Sequence, residues 1–202
     1  GTAAFTHVAG TQTLPEEERR EQCFMNLSQY NNTSFDRGAP RWREALWWVV
    51  RSLLFAPWFP IASSIKVAAL RAFGAEVGDG VVIRSRVNVS FPWRLSVGDD
   101  VWIGDEVQIL SLAHVTLGSD VCLSQRVFLC TGSHDFSRES FDLMTEPITI
   151  ADGCWIGAQA FVGPGVSFGT SSRCLAGAVV VKPVEAGTTV AGVPARRISP
   201  VN

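Results

Sequence analysis

The stretch VGDDVWIGDEVQI, residues 97–109, places an apolar side chain at Val97, Ile103 and Ile109, a glycine directly after the first two, and a valine at Val101 and Val107. Working outward, the same spacing of six runs back through Val77, Ile83 and Val89 and forward through Leu117, Leu123 and Leu129. After an interruption it resumes as Ile150, Ile156, Val162, Phe168, Cys174 and Val180. Glycine follows at 78, 98, 104, 118, 157, 163 and 169, and small or β-branched residues take the fifth place at Val81, Val87, Val101, Val107, Val121, Val127, Ala160, Val166 and Ala178. This is a hexapeptide repeat, and it predicts a mainly β chain wound as a parallel β-helix. Each unit supplies a short strand with an inward apolar side chain and a turn that tolerates glycine, and three units close one triangular coil. The spacing widens from six to eight between Val89 and Val97 and again between Ile109 and Leu117. Both widenings follow a third unit, which predicts corner bulges that keep the coils in phase. About five coils follow from the count, a prism roughly 20 to 25 Å tall. Inward rungs alone do not offset the entropy of ordering this much backbone, so packing between subunits is expected to contribute.

The chain has 202 residues, 47% of them hydrophobic and 18% charged, with a formal charge of −2. That composition is globular. Its basic residues are scattered, which argues against a nucleic-acid partner. The cysteines, at 23, 122, 130, 154 and 174, are odd in number and form no CxxC pair, which fits a reducing, cytoplasmic setting better than a disulfide framework. The first residues, GTAAFTHVAGTQ, hold no basic region followed by an apolar run and do not read as a signal peptide. Residues 45–70, ALWWVVRSLLFAPWFPIASSIKVAAL, are apolar but interrupted by Arg51, Pro57, Pro60 and Lys66. The steps Ala56-Pro57 and Phe59-Pro60 predict two short helices rather than one membrane span. Two placements stay open for them. They pack on the main domain, or they rest at the inner face of a membrane with Arg41, Arg43, Arg51, Lys66 and Arg71 towards the headgroups. The expected organisation is a tail over 1–25, a helical and extended segment over 26–74 packed on the prism, and the repeat domain over 75–198 with an excursion loop at 131–147.

The segments LSQYNNTSFDRGAPRWREALWW, RAFGAEVGDGVVIRSRV, FPWRLSVGDDVWIGDEV, LCTGSHDF, PITIADGCWIGAQAFVGPGVSFG and AGVPARRI together closely resemble the hexapeptide-repeat acyltransferases, in particular the O-acetyltransferases of colanic acid and related exopolysaccharide biosynthesis. The resemblance covers all but about the first 25 residues. Parallel strands are ordinarily connected right-handedly and the sequence does not reveal the hand here; the resemblance implies a left-handed β-helix. It also implies transfer of acetyl from acetyl-CoA to a hydroxyl, in a homotrimer whose active sites lie between neighbouring prisms. The histidine of the excursion loop is the family's general base, which carries onto His134 in TGSHD.

The chemistry suits that residue. A sugar hydroxyl is a poor nucleophile, and neutral imidazole can take its proton without being permanently charged. His134 is expected to deprotonate the acceptor as it attacks the acetyl carbonyl and to return the proton to the CoA thiolate, with the oxyanion held by a backbone N–H or a bound donor and no acyl-enzyme. Ser133, His134 and Asp135 are consecutive in extended chain and cannot converge as a triad. Cys130 reads as a structural cysteine of a coil, and His114 as a surface or packing residue. By family position the CoA arm would lie against Ala158 and Ala176 with Trp155 near the thiol end, and Lys182 falls where the family's CoA-contacting lysine sits. Arg196 and Arg197 could meet the adenosine phosphates, or be solvated surface charges. Val181 and Ser199 stand where relatives often carry Thr and a basic residue. For the acceptor, Trp102 could stack on a pyranose and Asp105 or Glu106 could bond sugar hydroxyls; the alternative is that Gly104-Asp105 simply forms a turn. Zinc-dependent carbonic anhydrases of the same prism use three histidines. Only His114 and His134 lie in the repeat region, so no metal is expected. A non-catalytic β-helix scaffold and an acyltransferase acting on a non-sugar alcohol remain the competing functions.

Overall fold

The computed structural model describes residues 27–33 and 35–199. The tail 1–25, with His7 and Cys23, lies outside the described residues. The chain divides into two units. One holds residues 35–133 and 143 onward; the other holds the described residues up to 33 together with 134–142.

The larger unit is a left-handed parallel β-helix with three sheets. The first sheet contains Glu76–Val77, Leu95–Val97, Val115–Leu117, Ile148–Ile150 and Ser167–Phe168. The second runs from Val82–Ile83 through Trp102–Ile103, Cys122–Leu123, Trp155–Ile156 and Arg173–Cys174 to Thr189–Ala191. The third is Asn88–Val89, Gln108–Leu110, Phe128–Cys130, Phe161–Val162 and Val179–Val180. Five coils are complete. A sixth begins, with Val184 bridged to Phe168 and Thr189–Ala191 paired to Arg173–Cys174.

Register follows the repeat. Val77 faces Val97 and Val97 faces Leu117; Ile83, Ile103 and Leu123 align in the second sheet, and Val89, Ile109 and Leu129 in the third. The two widened corners absorb their extra residues as expected. One holds a 3-10 turn over Pro92–Arg94. Both are pinned by buried hydroxyls. Ser111 donates to the Phe91 carbonyl and accepts from the Phe91 amide, both at 2.9 Å, and Thr131 donates to the Leu110 carbonyl at 2.6 Å and accepts from the Ala113 amide at 2.9 Å. Each repeat unit buries two side chains, the rung itself and the fifth-place residue, and nearly all of both sets are fully inside.

The glycines act differently from the turn role given them by the sequence. The left-handed corner positions are two residues further on and are mostly not glycine: Asp100, Glu106, Asp120, Arg126, Gln159 and Ser171 all have φ between 55° and 62°. Glycine is needed instead for close approach between coils. A Cβ on Gly157 would sit 2.5 Å from the Ala176 amide nitrogen, and one on Gly98 would sit 2.7 Å from Ser119 N.

Two helices, α1 (Arg41–Leu54) and α2 (Ser63–Ala72), are separated by the segment containing Pro57 and Pro60 and cover the first coil. That coil would otherwise expose unpaired carbonyls. Trp47 Nε1 donates to Val89 O at 2.8 Å, and Lys66 Nζ donates to the carbonyls of Ile83 and Arg84 at 3.2 and 2.6 Å. The Arg71 guanidinium donates to Val77 O. Burial pushes the Lys66 ammonium below the usual lysine range, and this side chain points into the protein rather than towards headgroups. On the outer side of α1, Trp42, Leu46, Val49 and Leu53 form an exposed apolar stripe. Among the described residues no helix is long and apolar enough to cross a membrane.

Candidate active site

After the third coil the chain leaves the repeat. Strands Gly132–His134 and Leu143–Thr145 pair with each other, and residues 135–142 form the tip between them. The tip is tied by its own polar groups: Asp135 N donates to Asp142 O at 2.9 Å, and Arg138 bridges the carboxylates of Asp135 at 3.4 Å and Asp142 at 3.0 Å. The Ser137 hydroxyl and then its amide bond Asp135 Oδ1 and hold that carboxyl below the usual range. Asp135 is thus committed to Ser137 and Arg138, in keeping with its exclusion from a triad.

His134 is held from three directions. Its Nδ1 lies 2.9 Å from the carbonyl oxygen of Phe141, its ring stacks parallel to the Phe141 ring with centroids 4.2 Å apart, and the Tyr30 ring approaches edge-on with centroids 5.6 Å apart. A carbonyl can only accept, so Nδ1 is the donor in this contact, and in the neutral imidazole the lone pair then lies on Nε2. Phe141 has φ 51°, a left-handed conformation uncommon for a bulky residue. The sequence reading did not single out Phe141 or Tyr30, and no spacing rule marks either.

In the larger unit, Lys182, Arg196 and Arg197 are brought together around one cleft of about 420 Å³ with Val180 and Thr188. The antiparallel strand Arg196–Ile198, folded back on Thr189–Ala191, carries the two arginines there. Arg197 also meets Glu185 at 3.3 Å. Ala158 and Ala176 stack at successive coils of one corner, where the Gly177 amide donates to Ala158 O at 2.8 Å and Gly177 itself has open space beside it. Trp155 is half-exposed and donates to Ser124 Oγ at 2.9 Å. The alanines and the cationic trio do not line the same cleft.

The acceptor candidates separate. Trp102 is exposed on the second sheet, in register with Cys122 and Trp155. Asp105 takes the Ser85 amide at 3.1 Å and the Arg84 guanidinium at 3.3 Å, the same corner-capping role that Asp99 and Asp152 play for the amides of Asp79 and Ser119. Cys130 is buried and donates to Gly132 O, and His114 Nε2 lies 3.0 Å from Ser96 Oγ. A second, larger cleft of about 590 Å³, which the sequence reading missed, is lined by Arg51, Arg86, Arg126, Glu106 and Gln108. Among the described residues no group of three or more His, Cys, Asp or Glu could hold a metal ion.

The chain matches no family model. It is 37% identical over 171 residues to WcaF of Escherichia coli K12, named for acetyl transfer in colanic acid biosynthesis, covering 84% of this chain and 93% of that protein. The chain belongs to the hexapeptide-repeat acetyltransferases. A second relative of this acetyltransferase is the galactoside O-acetyltransferase of E. coli K12, 29% identical over 140 residues, 68% of this chain and 69% of that one. Solved structures share the fold. A hexapeptide-repeat acetyltransferase of Vibrio cholerae complexed with acetyl coenzyme A superposes with a TM-score of 0.72 at 23% identity, over 80% of this chain and 88% of that one. A galactoside acetyltransferase in complex with coenzyme A gives 0.72 at 23%, over 80% and 82%.

Proposed function

We propose that this acetyltransferase moves acetyl from acetyl-CoA directly to a hydroxyl of a saccharide or saccharide precursor, with His134 as general base. The observation that carries the reading is the Phe141 carbonyl on His134 Nδ1, which leaves Nε2 as the free basic nitrogen. Nε2 takes the hydroxyl proton as the oxygen attacks the thioester carbonyl. The tetrahedral oxyanion collapses, the C–S bond breaks, and the departing thiolate takes the proton from the imidazolium, so that ester and free CoA leave with the base restored.

Lys182, Arg196 and Arg197 are the groups we assign to the CoA phosphates, and the stacked Ala158 and Ala176, with Trp155 beside them, to the pantetheine arm. The bound coenzyme in the V. cholerae and galactoside acetyltransferase structures supports that co-substrate. Trp102 offers an exposed ring to a pyranose; Asp105 keeps a corner in place and could reach a sugar only from there. The working form is a homotrimer in the cytoplasm with active sites between prisms. The apolar stripe on α1 supports a peripheral membrane contact, disproved if the protein stays at the bottom of a vesicle flotation gradient.

Thiol release from acetyl-CoA, measured against saccharides, nucleotide sugars and small non-sugar alcohols, tests the activity. Release with saccharides only is expected. Release with simple alcohols alone would redirect the acceptor, and no thermal shift with acetyl-CoA would favour a scaffold.

A further inference from the structure

The second cleft lies wholly within the larger unit, between the end of α1 and the third sheet. Its charge is uneven. Arg51, Arg86 and Arg126 face one carboxylate, Glu106, in a chain whose net charge is −2. Glu106 is already bound to Arg126, with Oε2 2.9 Å from Nε. Arg51 donates to the Asn88 side-chain oxygen at 2.7 Å, and Arg86 lies 4.7 Å from the Trp58 ring. Neither of these two guanidinium groups has a carboxylate partner among the described residues.

The polar floor is built rather than incidental. Arg51 fixes Asn88, whose Nδ2 donates to the Gln108 side-chain oxygen at 2.8 Å, so that one chain of bonds runs from helix to sheet across two coils. Arg86, Glu106 and Arg126 occupy successive places of one corner column with φ of 59°, 62° and 60°, where glycine would sit without strain. Phe128 adds an aromatic side chain to the lining, apolar surface suited to the carbon face of a pyranose.

We infer that this cleft binds the anionic part of a saccharide acceptor, a carboxylate or a phosphate, with Arg51 and Arg86 on the anion and the amides of Asn88 and Gln108 on neighbouring hydroxyls. The inference rests on the acetyl-transfer reading for its saccharide and on the arginines for its charge. A guanidinium is suited to two oxygens of one anion, whereas a neutral sugar gains only ordinary hydrogen bonds from it and none of the charge attraction.

Binding is measured by calorimetry with three probes: a glucuronic-acid disaccharide, a hexose 1-phosphate and a neutral disaccharide. At least one anionic probe is expected to bind about tenfold or more tightly than the neutral one, and which of the two does so separates carboxylate from phosphate recognition. The double variant Arg51→Gln/Arg86→Gln should lose that preference while still giving a thermal shift with acetyl-CoA, and Arg86→Lys should keep part of it. Equal binding of all three probes, or a preference the double variant leaves intact, overturns the inference. Thiol release on the same samples keeps the two readings apart. An intact anion preference without any acetyl transfer defeats the enzyme reading alone, and transfer without the preference defeats only the cleft.

Discussion

The wall of the prism and the tip of the excursion are made by opposite means. In the wall each rung is backed by the rung above and the rung below, and the pattern repeats through five coils, so position is enforced many times over. At the tip, one imidazole is oriented by one carbonyl, one stacked ring and one edge-on ring. Redundancy makes the wall a source of stability; with His134 as the proposed base, the lack of it at the tip predicts that each contact there sets the rate. Substitutions should therefore sort by region into those that change unfolding and those that change turnover.

The largest effect is expected from His134→Ala. Loss of a general base lowers turnover by about 10² to 10⁴-fold, while the denaturation midpoint should stay near that of the parent, because His134 belongs to no rung. Full activity in this variant would end the proposed mechanism. The wall should answer in the reverse sense. Ile156 is fully buried between Leu123 and Cys174, and Ile156→Ala should cost about 2 to 5 kcal/mol in chemical denaturation. A smaller loss would mean that adjacent coils close over the cavity, and that the wall is less rigid than its register suggests.

A finer division lies within the tip itself. Phe141 supplies both a carbonyl and a ring, and its φ of 51° aims the first. Phe141→Gly keeps that conformation at no strain and deletes the ring; Phe141→Val keeps an apolar side chain but resists the conformation. If the carbonyl orients the base, the valine variant loses roughly 10-fold in kcat and its pH–rate profile shifts, while the glycine variant loses less. The opposite order would give the orienting role to the ring.

The same contrast explains what could be read before the fold was known. Inward positions obey a period of six because a rung has one geometry, so Ile103, Leu123 and Ile156 are legible from spacing alone. Outward positions carry no such constraint. Arg51 and Arg86 line one cleft only because α1 docks on the first coils, and Phe141 reaches His134 only because the tip folds on itself; no periodicity records either event. The glycines were legible in place but not in purpose, since a residue needed for close approach and one needed for a left-handed turn look alike in sequence, and here they stand two residues apart. His134 itself was nominated by resemblance and by its position in a break of the pattern.

The smallest effect should come from the C-terminal cleft, where the wall carries the proposed phosphate contacts. Lys182 is exposed and no carboxylate among the described residues is paired with it, whereas Arg197 shares Glu185 at 3.3 Å. A single exposed cation contributes modestly to binding a phosphate, because solvent screens it. Lys182→Ala is therefore expected to raise the KM for acetyl-CoA by about 3 to 10-fold with kcat held, the signature of binding shared by ground and transition states. Arg197→Ala should do less, since the Arg197 charge is already partly offset by Glu185 at 3.3 Å. Raising the salt concentration should shrink the Lys182 effect. An effect that survives high salt, or that falls on kcat, would place Lys182 at the reacting end of the coenzyme rather than at its phosphates.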